Sequence, residues 1–166
     1  MTELPPAPIA GLTFGSPVET ARAALHAFAF TGPVADADAA AACRAGLWLA
    51  FDFFQESHAL SQDLDTPEGS FWHGILHRRE GDAANAAYWF RRVGRHPVLA
   101  ELEREAATLG FQSSDRSGFA FGFIETCTRT GNSTERVELA EMDPVPRMAD
   151  ALRSLPRPRQ RSVNFS

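Results

Sequence analysis

Residues 67–95 decide the fold, and they read PEGSFWHGILHRREGDAANAAYWFRRVGR. The segment opens on Pro-Glu, directly after a threonine whose hydroxyl is suited to capping a first helical turn. Gly81 is a suitable residue to end that helix, and the side chain of Asp82 is suited to start the next one. The segment therefore predicts a hairpin of two helices, with arms at 67–80 and 83–95.

Four residues of this hairpin have the spacing of a tetratricopeptide repeat. Gly74, Gly81, Ala86 and Phe90 correspond to a small residue in the first helix, a turn glycine, and an alanine and an aromatic residue in the second. Small side chains allow two antiparallel helices to approach, and the aromatic ring fills the remaining space. Because stable arrays need about three repeats, a single unit predicts a repeat-like hairpin within a compact helical bundle.

The flanking sequence is also helical in character, so the predicted fold class is all-α. Apolar residues follow a helical spacing along 35–62, which predicts one long helix that bends at Gly46. Residues 119–128 fit either a strand or a helix, and the helical neighbours favour a helix. The other predicted helices cover 17–30, 97–109 and 147–155. The predicted organisation is an irregular arm at 1–16, one helical domain at 17–155, and a flexible tail rich in Arg and Pro at 156–166.

Composition excludes several classes of protein. The chain has 166 residues, a net charge of -5 and two cysteines, which argues against a disulfide scaffold and against general nucleic-acid binding. Its longest apolar run is far shorter than the roughly 20 residues that span a bilayer, and its start lacks the features of a signal peptide. All sixteen basic residues are arginine, a bias typical of GC-rich bacterial genomes. We expect a cytoplasmic bacterial protein without a membrane or nucleic-acid partner.

Two runs within residues 58–98 are distinctive. They are SFWHGILHRREGD and YWFRRVGRHPV, and both are dense in Trp, His and Arg. The segment resembles the signature stretch of a bacterial family of small helical proteins to which no activity is assigned. This resemblance implies a related helical fold and no particular chemistry.

Polar side chains are predicted to converge beside the hairpin. His73 and His77 are four residues apart on one helix, so their rings project from the same face. A short loop joins this helix to the one before it, which brings His58 and Gln62 towards them. The remaining candidate ligand-binding residues of this pocket are Trp72, Asn85 and Tyr88.

Three interpretations of this cluster remain open. Its side chains could form a hydrogen-bonded network that fixes the packing of the core. They could line a small-molecule pocket, in which His73 or His77 acts as a ligand or a general base. They could also bind a transition metal through His58, His73 and His77, with Asp63 or Glu80 as a fourth ligand. The spacing lacks the glutamate of the HExxH motif, so a zincin protease is not indicated.

Arginines add a second candidate feature. Five of them lie between residues 78 and 95, and we assign Arg78 and Arg91 to the pocket as groups that hold a small anionic ligand. The alternative is that the arginines form ion pairs with glutamates 101, 103 and 105 of the next helix. At the level of function, the alternative to a ligand or metal pocket is a protein–protein interaction module without catalytic activity, whose buried histidines are purely structural.

Overall fold

The described residues of the chain form helices joined by short connections. The computed structural model describes residues 15–30, 32–108, 111 and 118–130. Within these ranges there are seven helices and no strand, which confirms the all-α prediction. The helices are α1 (Glu19–Ala27), α2 (Ala37–Ala50), α3 (Phe54–Ser61), α4 (Pro67–Glu80), α5 (Ala83–Val93), α6 (Pro97–Thr108) and α7 (Phe119–Thr130).

Local capping interactions set the ends of the central hairpin. The side chain of Thr66 accepts a hydrogen bond from the Gly69 amide (3.1 Å), which caps α4. Gly81 has a φ of 92°, a left-handed conformation that glycine adopts without strain, and it ends α4. Asp82 then accepts a hydrogen bond from the Asn85 amide (3.0 Å) and caps α5. The predicted helical hairpin is therefore confirmed.

The two arms of the hairpin pack closely. A Cβ atom placed on Gly74 would lie 3.0 Å from two ring atoms of Phe90, so glycine allows the ring to rest on the α4 backbone. Ala86 is fully buried at the same interface. Every residue from 69 to 79 is buried, which makes α4 the central helix of the bundle. The likeness to a tetratricopeptide repeat remains a prediction.

The predicted long helix over 35–62 is wrong, because the chain breaks between α2 and α3. Asp52 has a φ of 62°, outside the helical region. The amide of Phe53 donates to the Trp48 carbonyl (3.0 Å) and closes the turn. Phe51 and Phe53 are both fully buried, so the turn directs two aromatic rings into the core, which a continuous helix would not do.

Gly46, where the sequence predicts a bend, lies inside helix α2. Its role is close packing. A Cβ atom at this position would lie 2.4 Å from the indole ring of Trp72, which is itself 2 % exposed. Glycine at this position therefore lets α4 approach the backbone of α2.

A buried ion pair joins the turn before α3 to α4. The Arg79 side chain is completely buried; it donates to Asp52 Oδ1 (2.5 Å) and to the Leu49 carbonyl (3.0 Å). Because Asp52 lies two residues before the start of α3, this pair contributes to holding α3 beside α4. That placement brings His58 towards the histidines of α4.

The last described helix, α7, confirms the helical interpretation of residues 119–128. Phe119 and Phe123 stack within a small aromatic cluster that includes Phe111. The helix predicted at 147–155 and the tail at 156–166 lie outside the described residues, as does nearly all of the arm at 1–16. In the described part, no helix has the length and apolar content that a membrane span requires.

Candidate metal centre

Three histidines from two helices meet at one point. His58 lies on α3, while His73 and His77 lie one turn apart on α4. One candidate ligand atom from each residue lies within 4.8 Å of the other two. The ring centroids are 4.7 Å apart for the pair 58/73, 4.8 Å for 73/77 and 5.8 Å for 58/77. The structure therefore confirms that these residues converge.

Aromatic rings form the walls of this histidine triad. The indole of Trp89 on α5 stacks on His73, with centroids 4.1 Å apart and planes inclined by 18°. On α3, the ring of Phe54 stacks on that of His58, with centroids 5.7 Å apart. His73 is 3 % exposed and His77 is 7 % exposed, whereas His58 is half-buried. The triad is thus open to solvent mainly beside His58.

Both ring nitrogens of His77 have partners. Nδ1 lies 3.0 Å from Glu80 Oε2, and Nε2 lies 3.2 Å from Asn85 Nδ2. An ionised carboxylate only accepts hydrogen bonds, so Nδ1 carries the proton and donates to Glu80. In the neutral ring this leaves a lone pair on Nε2, which accepts a hydrogen bond from the Asn85 amide. Glu80 therefore fixes the tautomer in which Nε2 is the basic atom.

His73 is held in its neutral form. Burial, together with the charges of the neighbouring His77 and His58, lowers its pKa to about 4, against an opposing effect of the hydrogen bond with the Ser61 backbone. Burial, with the charge of His77, also lowers the pKa of His58 from its ordinary value. The Nδ1 atom of His73 is buried and makes no hydrogen bond. A buried polar atom without a partner is costly, and a neutral imidazole is the form that binds metals.

The other predicted pocket residues divide into two groups. Asn85 contacts His77 directly, and Tyr88 is exposed beside Trp89, with ring centroids 5.2 Å apart. Gln62 follows the last residue of α3 and is exposed. The structure thus places Asn85 beside the triad, in contact with His77, and leaves Gln62 at the surface.

Trp72, Arg78 and Arg91 point elsewhere. Trp72 lies in the core against α2. The guanidinium of Arg78 lies over the ring of Phe123 on α7, 5.1 Å from its centroid, and donates to Cys127 Sγ (3.8 Å). Arg91 is exposed on α5. Two other arginines of this segment form ion pairs, Arg79 with Asp52 and Arg92 with Asp65. The predicted ion pairs with the glutamates of α6 remain a prediction.

Sequence reasoning missed the role of Trp89 and the position of Glu80. Trp89 was not among the candidate pocket residues, but it stacks on His73 and covers the triad. Glu80 was expected as a fourth ligand, but its carboxylate lies on the Nδ1 side of His77. A signal for Trp89 was available in the predicted hairpin, where Gly74 faces Phe90. One position before each of these residues, His73 and Trp89 project to the same side of the two antiparallel helices.

Comparisons with known proteins assign no family to the chain. No family model matches it, and neither the curated proteins nor the solved structures contain a significant match. The resemblance to a bacterial family of small helical proteins therefore stays a prediction, and functional inference rests on the geometry of the triad.

Proposed function

We propose that this protein binds a divalent transition-metal ion through ring nitrogens of His58, His73 and His77. The observation that carries the proposal is the convergence of three candidate ligand atoms within 4.8 Å. Imidazole suits zinc, copper, iron and nickel. Metal–nitrogen bonds of 2.0–2.1 Å place tetrahedral ligands about 3.3 Å apart. The candidate ligand atoms are up to 4.8 Å apart. Ring rotations that shorten these distances by roughly 1.5 Å would therefore allow all three metal–nitrogen bonds to form.

The environment of each ring supports this proposal. A ligand bond to the buried Nδ1 atom of His73 would satisfy an atom that otherwise makes no hydrogen bond. The contact between Glu80 and His77 has the carboxylate–histidine arrangement that orients metal ligands in proteins. A purely structural network explains the partners of His77, but it leaves His73 Nδ1 unsatisfied. The metal interpretation accounts for both.

The two other functions suggested by the sequence have less support. Of the two arginines that were expected to hold an anionic ligand, Arg78 packs against α7 and Arg91 is exposed on α5. An interaction module should display a broad apolar surface. Among the described residues, the large hydrophobic side chains that are exposed are Val34, in the connection between α1 and α2, and Tyr88 on α5.

The direct test is metal binding by protein purified without an affinity tag. We expect elemental analysis to find close to one transition-metal ion per chain, or the metal-free protein to gain thermal stability from added zinc, copper, iron or nickel. A metal present at 100 times its Kd contributes about 2.7 kcal/mol, which raises Tm by several degrees in a domain of this size. His73→Gln and His77→Gln should each abolish the gain.

A matched control is His26→Gln, because this exposed histidine of α1 is not part of the triad. It should bind metal as the wild type does. If the wild type carries no metal and none of the four ions changes its Tm, the proposal is wrong. Equal loss of binding in His26→Gln would show that the measured metal binds elsewhere.

A further inference from the structure

The contacts of His77 identify a fourth ligand. Resting on the proposed metal site, we infer that Asn85 completes the coordination sphere through its carboxamide oxygen, and that Glu80 is a positioning residue that directs His77 Nε2 at the ion. Neither Asp63 nor Glu80 then serves as the fourth ligand. The result would be a site with three nitrogen ligands and one neutral oxygen ligand.

The tautomer of His77 decides which of its atoms binds. Nδ1 carries the proton that Glu80 accepts, so the lone pair available to a metal is on Nε2. An oxygen at the Nδ1 side of the ring is directed away from an ion bound at Nε2. Glu80 therefore cannot bind the same ion while it keeps this hydrogen bond, and its negative charge makes Nε2 a stronger ligand.

Asn85 occupies the position that a fourth ligand needs. Its carboxamide nitrogen lies 3.2 Å from His77 Nε2, which agrees with the roughly 3.3 Å between neighbouring ligands of a tetrahedral ion. An N–H group cannot face a cation that has taken the Nε2 lone pair. A half-turn of the carboxamide exchanges nitrogen for oxygen and points a metal-binding atom at the ion.

The backbone at this position is already fixed. The Asn85 amide donates to the capping carboxylate of Asp82, in the first turn of α5. Only the side-chain torsions of Asn85 have to change when the metal binds. The ligand is thus held by a helix that also carries Trp89, the wall of the triad.

Calorimetric titration of the metal-free protein with zinc tests the role of Asn85, with a competing chelator if binding is tight. Asn85→Ala should raise the Kd at least about 10-fold, and Asn85→Asp should lower it, because a carboxylate adds charge to the same position. With cobalt as the probe, the visible spectrum of Asn85→Ala should differ from that of the wild type. If zinc affinity and cobalt spectrum are both unchanged in Asn85→Ala, Asn85 is not a ligand.

The positioning role of Glu80 has a close control within the chain. Glu80→Gln should weaken zinc binding by about 10- to 100-fold. Glu68→Gln changes a similarly exposed glutamate that contacts a different histidine, His96, at 3.1 Å, and should leave the zinc affinity unchanged. Equal effects of the two substitutions would overturn the positioning role.

The outcomes for the two proposals can be told apart. A wild type that binds no metal refutes the proposed function, whereas normal binding by both Asn85→Ala and Glu80→Gln refutes only this inference.

Discussion

Lowering the pH should destabilise the metal-free protein through His73. The pKa of this residue is about 4 in the folded protein and 6.5 at its ordinary value. The unfolded chain therefore binds the proton more strongly, so the contribution of His73 to stability is fully present above pH 6.5. It is lost as the pH falls from 6.5 towards 4. Between pH 7 and pH 5 the expected loss from this residue is about 2 kcal/mol.

The measurement is urea denaturation at pH 7, 6 and 5 in the presence of a chelator, for the wild type and for His73→Leu. Leucine fills a similar volume and does not titrate. Carboxylates titrate in both proteins, so the difference between the two pH profiles isolates His73. We expect the wild type to lose about 2 kcal/mol more than the variant between pH 7 and pH 5. Parallel profiles would refute the reasoning, because they would show that His73 is not held neutral by its surroundings.

Two further predictions concern the frame that holds the triad. Gly46→Ala places a methyl group 2.4 Å from the Trp72 ring. Urea denaturation should show that the free energy of unfolding falls by about 2 kcal/mol, because overpacking costs more than the added helix propensity contributes. A variant as stable as the wild type would contradict this packing. Asp52→Asn preserves a side chain that tolerates positive φ but removes the charge facing buried Arg79, so unfolding should become about 3 kcal/mol easier. The control Asp65→Asn breaks an exposed ion pair and should cost less than about 1 kcal/mol, so equal effects of the two substitutions would show that burial of the pair is unimportant.

The helix ends that the sequence predicted well depend on neighbouring residues only. The cap of α5 by Asp82 and the end of α4 at Gly81 involve contacts within a few positions. The break at Asp52 was missed because its stabilising partner, Arg79, lies 27 residues further along the chain. In addition, the sequence does not distinguish an aspartate that will adopt a positive φ from an aspartate within a helix.

The candidate site was predictable where it depended on helical spacing and loop length. Those two features brought His58, His73 and His77 together. Arg78 was assigned to the pocket from the local density of arginines, although it lies one residue from His77 and so projects about 100° away from it around the helix. That rotation directs it to α7, whose position relative to the hairpin no local pattern predicted. The same rotation separates Trp72, which faces α2, from His73, which faces Trp89.

The triad is divided between a fully buried helix and a short peripheral one. α4 is buried along most of its length, so we expect its amides to be among the slowest of the chain to exchange with solvent. α3 has eight residues, few of them buried, and such elements open locally at much lower free energy. Opening of α3 alone would withdraw His58 and leave His73, His77 and Asn85 in place on α4 and α5. Because the ion then loses one ligand without unfolding of the whole chain, we expect it to dissociate faster than the protein unfolds.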